Sequence, residues 1–127
     1  MNCLIDTHAL IWYFENSSNI PKKIENIIDD NKNKKFICST TLWEIAIKTS
    51  ISKLDMKLSL NELISEINNC ELTVLQIENK YLNYIVKLPF IHKDPFDRLL
   101  ISIALADDLT IITADENIQK YNVKWVW

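Results

Sequence analysis

Short apolar runs alternate with longer amphipathic stretches along the whole chain. "CLID" (3–6), "KFICS" (35–39), "LTVLQI" (72–77), "LTIIT" (109–113) and "VKWVW" (123–127) are mostly apolar on both sides of a strand's two-residue alternation, as strands covered on both faces must be. Between them "THALIWYFEN", "PKKIENIIDDNK", "TTLWEIAIKTSIS", "SLNELISEINN", "ENKYLNYIVKL", the stretch from Pro95 to about Ala106 and "DENIQKY" read as helices. Ile24, Ile27 and Ile28 share one face of the second, and Leu60, Leu63, Ile64 and Ile67 share one face of the fourth. Thr7 is expected to cap the first. Strands each followed by helices imply parallel crossovers, and so an α/β fold built as a three-layer α/β/α sandwich.

Composition narrows this further. With 127 residues, 48% of them apolar and 24% charged, the chain is expected to form one domain spanning 1–127 with a genuine core. It contains no glycine, which excludes nucleotide folds that depend on glycine-rich phosphate loops. Its turns fall instead to Asn, Asp, Ser and Pro in "ENSSN", "DDNKNKK", "NNCE" and "LADD". A net charge of −3, from 14 basic and 17 acidic residues, argues against a protein that coats nucleic acid through a bulk positive field. It leaves room for a local basic surface beside an acidic pocket. Cys3, Cys38 and Cys70 are odd in number and widely spaced, and are expected as buried reduced thiols. No membrane-length apolar run and no signal-like N-terminus is present, so cytoplasmic residence and no membrane partner are expected.

The stretch "HKDPFDRLL" (92–100) poses the functional question. Asp94 before Pro95 is a natural helix N-cap, with proline at the first helical position. Asp97, two residues further on, enters "RLLISIALA", where water is scarce and an ionised group wants a partner. Three other acids have apolar neighbours: Asp6 ends "CLID", Glu44 sits in "LWEIAIK", and Asp115 follows "TIIT". Each has a local explanation. Asp6 can make a turn, Glu44 can complete a capping box with Thr41, Asp97 can serve the helix dipole, and Asp115 can cap the last helix. In a parallel sheet, however, strand ends and the following helix starts share one edge. Asp6 and Asp115 at strand ends, with Glu44 and Asp97 in first turns, then point into one crevice. Carboxylates gathered there need protons or a cation, and an all-oxygen set suits Mg²⁺ or Mn²⁺.

"LIDTHALIW", "STTLWEIAIK", "HKDPFDRLLISIALA" and "IITADENIQKY" together resemble, in order and spacing, the PIN-domain ribonucleases. The likeness is nearest to the VapC-type toxins of bacterial type II toxin–antitoxin systems and covers almost the whole chain. It implies a short, mainly parallel five-stranded sheet between helical layers. It also implies a metal-dependent endoribonuclease whose catalytic, metal-binding acids are Asp6, Glu44, Asp97 and Asp115. The expected partners are an RNA substrate, a cognate antitoxin and a second copy of the chain in a homodimer. The apolar faces of "PKKIENIIDD" and "SLNELISEI" are candidate dimer interfaces.

Neighbouring polar residues remain open between two roles. Thr7 either caps a helix or orients Asp6 and substrate; Lys48 either pairs with Glu44 four residues earlier or meets phosphate. Arg98 either makes a structural ion pair or clamps a phosphate. Thr113 and Ser39 are hydroxyls placed to support the acids. His8 and His92 read as structural or peripheral, and Trp12, Trp43, Trp125 and Trp127 as core or interface. A DNA nuclease or phosphatase could use the same acids. A receiver-like signalling domain fits less well, since "CLIDTHA" offers one acid where receivers carry a pair, and "LTVLQI" offers none.

Overall fold

In the computed structural model, which describes residues 1–127, the apolar runs become β1 (Asn2–Ile5), β2 (Lys34–Cys38), β3 (Leu72–Leu75), β4 (Thr110–Ile112) and β5 (Lys124–Val126). The helices are α1 (Thr7–Phe14), α2 (Lys22–Asp29), α3 (Ser39–Ser50), α4 (Leu60–Asn69), α5 (Asn79–Lys87), α6 (Pro95–Asp107) and α7 (Glu116–Gln119). Element existence and order follow the apolar pattern; the ends move by one to three residues. Ser39 passes from strand to helix, and Gln76 and Ile77 leave the sheet.

The sheet has the order β3-β2-β1-β4-β5, and all of its pairings are parallel, where the expectation was only mainly so. Strand alternation splits the core in two. Cys3, Ile5, Ile37 and Ile112 face a layer that includes Leu10, Ile24, Ile28, Ile45, Leu63 and Ile67. Leu4, Cys38 and Ile111 face the other layer, with Tyr81, Leu100, Ile103 and Ile118. Burial on both faces explains why these strands read as unbroken apolar runs. From β1 the chain steps outward to β2 and β3, then returns to place β4 against the other side of β1. The crevice beyond the C-terminal ends of β1 and β4 is therefore the switch point where such sheets bind ligands.

Several local expectations change. Asp6, not Thr7, caps α1: its side chain accepts from Ala9 N at 2.8 Å, leaving the Thr7 hydroxyl free for a distant partner. Glu44 lies in the second turn of α3, not the first, and forms no capping box; the N-cap is Cys38, without a side-chain bond. Cys3 and Cys38 are buried but Cys70, at the end of α4, is exposed. The αL turn positions fall on Asn16, Ser52 and Asp108, so polar residues take over glycine's role.

The proposed dimer faces on α2 and α4 are also corrected. Ile24, Ile28, Leu63 and Ile67 are spent on the core, because these helices need them to cover the sheet. A run of exposed apolar residues lies elsewhere, at Leu82, Tyr84 and Val86 of α5 and at Phe90 and Ile91 just after it, with Val86 85% exposed. No helix is long and apolar enough to cross a membrane.

Candidate active site

Asp6, Glu44, Asp97 and Asp115 line one pocket of about 310 Å³ at the C-terminal edge of the sheet, together with Thr7, His8, Trp12, Lys48 and Ala114. Local structure aims each of them. Asp6 follows β1 as the cap of α1, and Asp115 follows β4 as the cap of α7, its Oδ1 accepting from Asn117 N at 2.7 Å and Ile118 N at 3.2 Å. Asp97 is in the first turn of α6, fixed there by Asp94, whose Oδ1 accepts from Asp97 N at 3.0 Å, with Pro95 opening the helix. Asp94 thus caps the helix as its sequence context predicts.

Glu44 is 3% exposed and shares its two oxygens between two donors. Thr7 Oγ1 donates to Oε1 at 2.6 Å, and Lys48 Nζ to Oε2 at 2.5 Å. Lys48 therefore pairs with Glu44 along one helix face and also brings its charge to the pocket wall. Thr113 is fully buried and accepts from Asp115 N through Oγ1 at 3.0 Å, which sets the turn after β4. Ser39 stands at the start of α3 and does not line the pocket.

Two residues behave differently from their sequence reading. Arg98 is only 9% exposed, makes no ion pair and does not line the pocket. Its Nη1 donates to Pro89 O at 3.0 Å, His92 O at 3.3 Å and Tyr121 Oη at 3.3 Å, while Nη2 reaches Ile85 O at 3.4 Å. Its guanidinium also stacks 4.7 Å from the Phe90 ring centre. A side chain inside helix α6 points back at the loop before it and at the last turn of α5, and its fork ties these carbonyls together.

His92, read as peripheral, stands inside the acid cluster. Its Nε2 lies 2.9 Å from Asp97 Oδ2 and 3.1 Å from Asp115 Oδ2, and the candidate ligand atoms of these three residues all fall within 4.8 Å of one another. His8 also reaches the pocket rim, its ring 5.7 Å from that of Trp12. Among the tryptophans, Trp12 and Trp127 pack on the core, as expected, but Trp43 is 60% exposed and meets Phe96 edge-on at 5.5 Å.

The electrostatics show a site short of positive charge. Burial, then the neighbouring Asp94, Glu44, Asp115 and Asp6, push the Asp97 carboxyl up to about 8. Burial also raises Asp6, with Asp115 adding to it, against weaker opposition from Thr113, the Ala9 amide and His8. Asp115 moves the other way. Burial would raise it, but the His92 hydrogen bond and the Asn117 and Ile118 amides outweigh that. At Lys48 burial opposes the charge, yet the bond to Glu44 and the nearby Asp94 and Asp97 raise its proton affinity overall. A divalent ion would replace the proton that Asp97 otherwise retains, and carboxylate oxygens are the donors Mg²⁺ and Mn²⁺ take. The residues present fit such an ion.

Residues 3–124 match the PIN domain family. No match was found among curated proteins. Among solved structures the chain is similar to VapBC2 from Rickettsia felis bound to a promoter DNA fragment, with 18% identity, a TM-score of 0.74 and coverage of 99% of this chain and 98% of that one. It is also similar to VapBC-1 from nontypeable Haemophilus influenzae, at 16% identity, TM-score 0.67 and coverage of 99% and 97%. A toxin–antitoxin complex from Klebsiella pneumoniae aligns at 16% identity and TM-score 0.64, over 98% and 96% of the two chains. At these identities the likeness is one of fold; the family match is what assigns the chain, which belongs to the PIN domain family.

Proposed function

We propose that residues 1–127 act as a single nuclease domain, a divalent-metal-dependent endoribonuclease that serves as the toxin of a toxin–antitoxin pair. The observation that carries this reading is the convergence of Asp6, Glu44, Asp97 and Asp115 on one pocket in a PIN domain. Asp6, Asp97 and Asp115 would hold Mg²⁺ or Mn²⁺, with Glu44 either binding directly or holding a water. The ion would supply an activated water and stabilise charge at the scissile phosphate. Around it, Thr7 and Lys48 fix Glu44, and Asp94 fixes the turn that presents Asp97. With Arg98 turned into the loop, Lys48 is the basic side chain at the pocket wall that can meet phosphate.

The toxin part of this reading draws on the likeness to structures of toxin–antitoxin complexes over nearly their whole chains. An antitoxin and a second copy of the chain are the partners proposed. Leu82, Val86, Phe90 and Ile91 are the apolar surface on which either would bury area.

The test compares purified wild type with Asp97→Asn on RNA, single-stranded DNA and a phosphomonoester, with Mg²⁺ and with chelator. RNA cleavage that needs the ion and disappears in a folded Asp97→Asn protein is expected. Cleavage by the variant at the wild-type rate overturns the assignment, and a preference for DNA or monoester moves it to another hydrolase class.

A further inference from the structure

We propose that His92 is a positioning residue of this site. Its Nε2 hydrogen-bonds Asp115 and lies beside Asp97, which leaves one defined lone pair of Asp115 Oδ2 for the pocket. The proposal rests on reading the pocket as a metal-dependent nuclease site, and it goes beyond that reading by giving a role to a residue outside the four acids.

The ring's protonation follows from its partners. Asp94 N donates to His92 Nδ1 at 3.2 Å, so Nδ1 offers a lone pair and the ring proton sits on Nε2. That proton goes to Asp115 Oδ2 at 3.1 Å, and Asp97 Oδ2 lies 2.9 Å from the same nitrogen. Direct coordination of an ion by Nε2 would require the proton to move to Nδ1, where it would confront the Asp94 N–H. The geometry therefore favours a donor to Asp115 over a ligand.

The donor matters because the lone pairs of Asp115 are nearly used up. Asp115 Oδ1 accepts two backbone amides, from Asn117 and Ile118, which fills its two lone pairs. Oδ2 gives one to His92 and keeps one. With the ring in place, that remaining pair has one direction. Without it, Oδ2 is free to rotate its acceptance toward water. Outer partners of this kind orient ligands and tune metal affinity.

The ring is held firmly enough to do this. Its side chain is 11% exposed, and its backbone is pinned by Tyr121. Ile91 N and His92 N donate to Tyr121 Oη at 3.1 and 2.8 Å, and Tyr121 Oη donates to Pro89 O at 2.7 Å. Arg98 Nη1 reaches Pro89 O, His92 O and Tyr121 Oη from the other side. The loop is thus fixed by a phenol and a guanidinium, neither of which enters the pocket.

Two measurements test the role. The first is the ¹⁵N spectrum of the imidazole rings in full-length protein, free and saturated with Mg²⁺, with His92→Gln used to assign the ring against His8. A His92 ring protonated at Nε2 and bare at Nδ1 in both states is expected. A ring that shifts its proton to Nδ1 when Mg²⁺ is added overturns the proposal in favour of direct ligation. The second is Mn²⁺ calorimetry. His92→Ala should weaken binding by about 10- to 100-fold, and His92→Gln, whose amide keeps a donor at that reach, should recover part of the loss. Unchanged Mn²⁺ affinity in a folded His92→Ala protein overturns the proposal. Should that variant fail to fold, the wild-type ring spectrum and the Gln variant still decide. A wild type that binds no Mn²⁺ overturns the nuclease reading itself, a result distinct from either of these.

Discussion

Thr7 Oγ1 donates to Glu44 Oε1 at 2.6 Å across 37 residues of sequence, and both partners are buried. The bond joins the first residue of α1 to the second turn of α3 and keeps a buried carboxylate satisfied. Replacing Thr7 by Val keeps the shape but leaves Oε1 without a donor, which costs about 1–3 kcal/mol in a buried setting. Thr7→Val should lower the unfolding free energy by that amount, read as a lower urea midpoint at unchanged slope, and depress RNA cleavage, while Thr7→Ser should retain most of both. A Val variant with wild-type stability would mean that Glu44 does not depend on this hydroxyl.

Asp94 and Asp97 should separate cleanly. Asp94→Ala removes the cap on Asp97 N and should lower stability by about 1 kcal/mol. The Asp94 backbone N–H to His92 survives that change, so cleavage should fall only modestly. Asp97→Asn keeps the capped amide and removes the crowded charge. Stability should hold or rise in the absence of metal while cleavage vanishes. Equilibrium unfolding and a cleavage time course on both variants check the pair.

Arg98 distinguishes a loop anchor from a phosphate clamp. Its fork serves the carbonyls of Ile85, Pro89 and His92, and a lysine has no planar fork to replace it. Arg98→Lys should lose about 1.5–3 kcal/mol of stability, the range for hydrogen bonds to a charged group. A lysine variant that unfolds like the wild type and shows only a raised KM for RNA would return Arg98 to the substrate side.

Asp97 also sets a pH dependence for the metal-free protein. An ordinary aspartate titrates near about 4, whereas burial and its acidic neighbours hold Asp97 at about 8. Between those values the folded state keeps a proton that the unfolded state has released, so stability falls as pH rises through this window. The raised Asp6 acts with the same sign. Asp115, lowered because His92 and two amides outweigh burial, acts oppositely, and its contribution is lost only as pH falls through its folded value, below the ordinary one. Melting curves in chelator should therefore show declining stability from about pH 4 to about pH 8. Asp97→Asn should flatten most of that slope. At neutral pH, metal uptake by the wild type should release close to one proton, measurable by calorimetry in buffers of different ionisation enthalpy.

Much of this was legible in the sequence because the signals are local. Apolar runs on both faces gave the strands, helical spacing gave α2 and α4, and Asp-Pro-x-Asp gave the start of α6. The crevice acids followed from one rule about parallel sheets. What escaped was set by the path of loops. Nothing in "LPFIHKD" says that the chain folds back over α6 to carry His92 between Asp97 and Asp115, because Tyr121, far along the chain, and Arg98, on the helix, hold it there. The histidine two residues before the N-cap was a usable hint: a loop this near a cap cannot stray far from the first turn. Likewise α2 and α4 show the limit of amphipathicity. It marks a face that must be covered but does not say whether the sheet or a partner covers it.

The double employment of Asp6 and Asp115 has a consequence for how this lineage would decay. Each gives an oxygen to the backbone amides at a helix start, a duty that Asn, Ser or Thr can also perform. Asp97 has no such second post; its carboxylate meets only the His92 ring. A descendant released from selection for cleavage would retain a polar residue at positions 6 and 115 for folding alone. Position 97, with no such folding duty, would be the first of the three free to change.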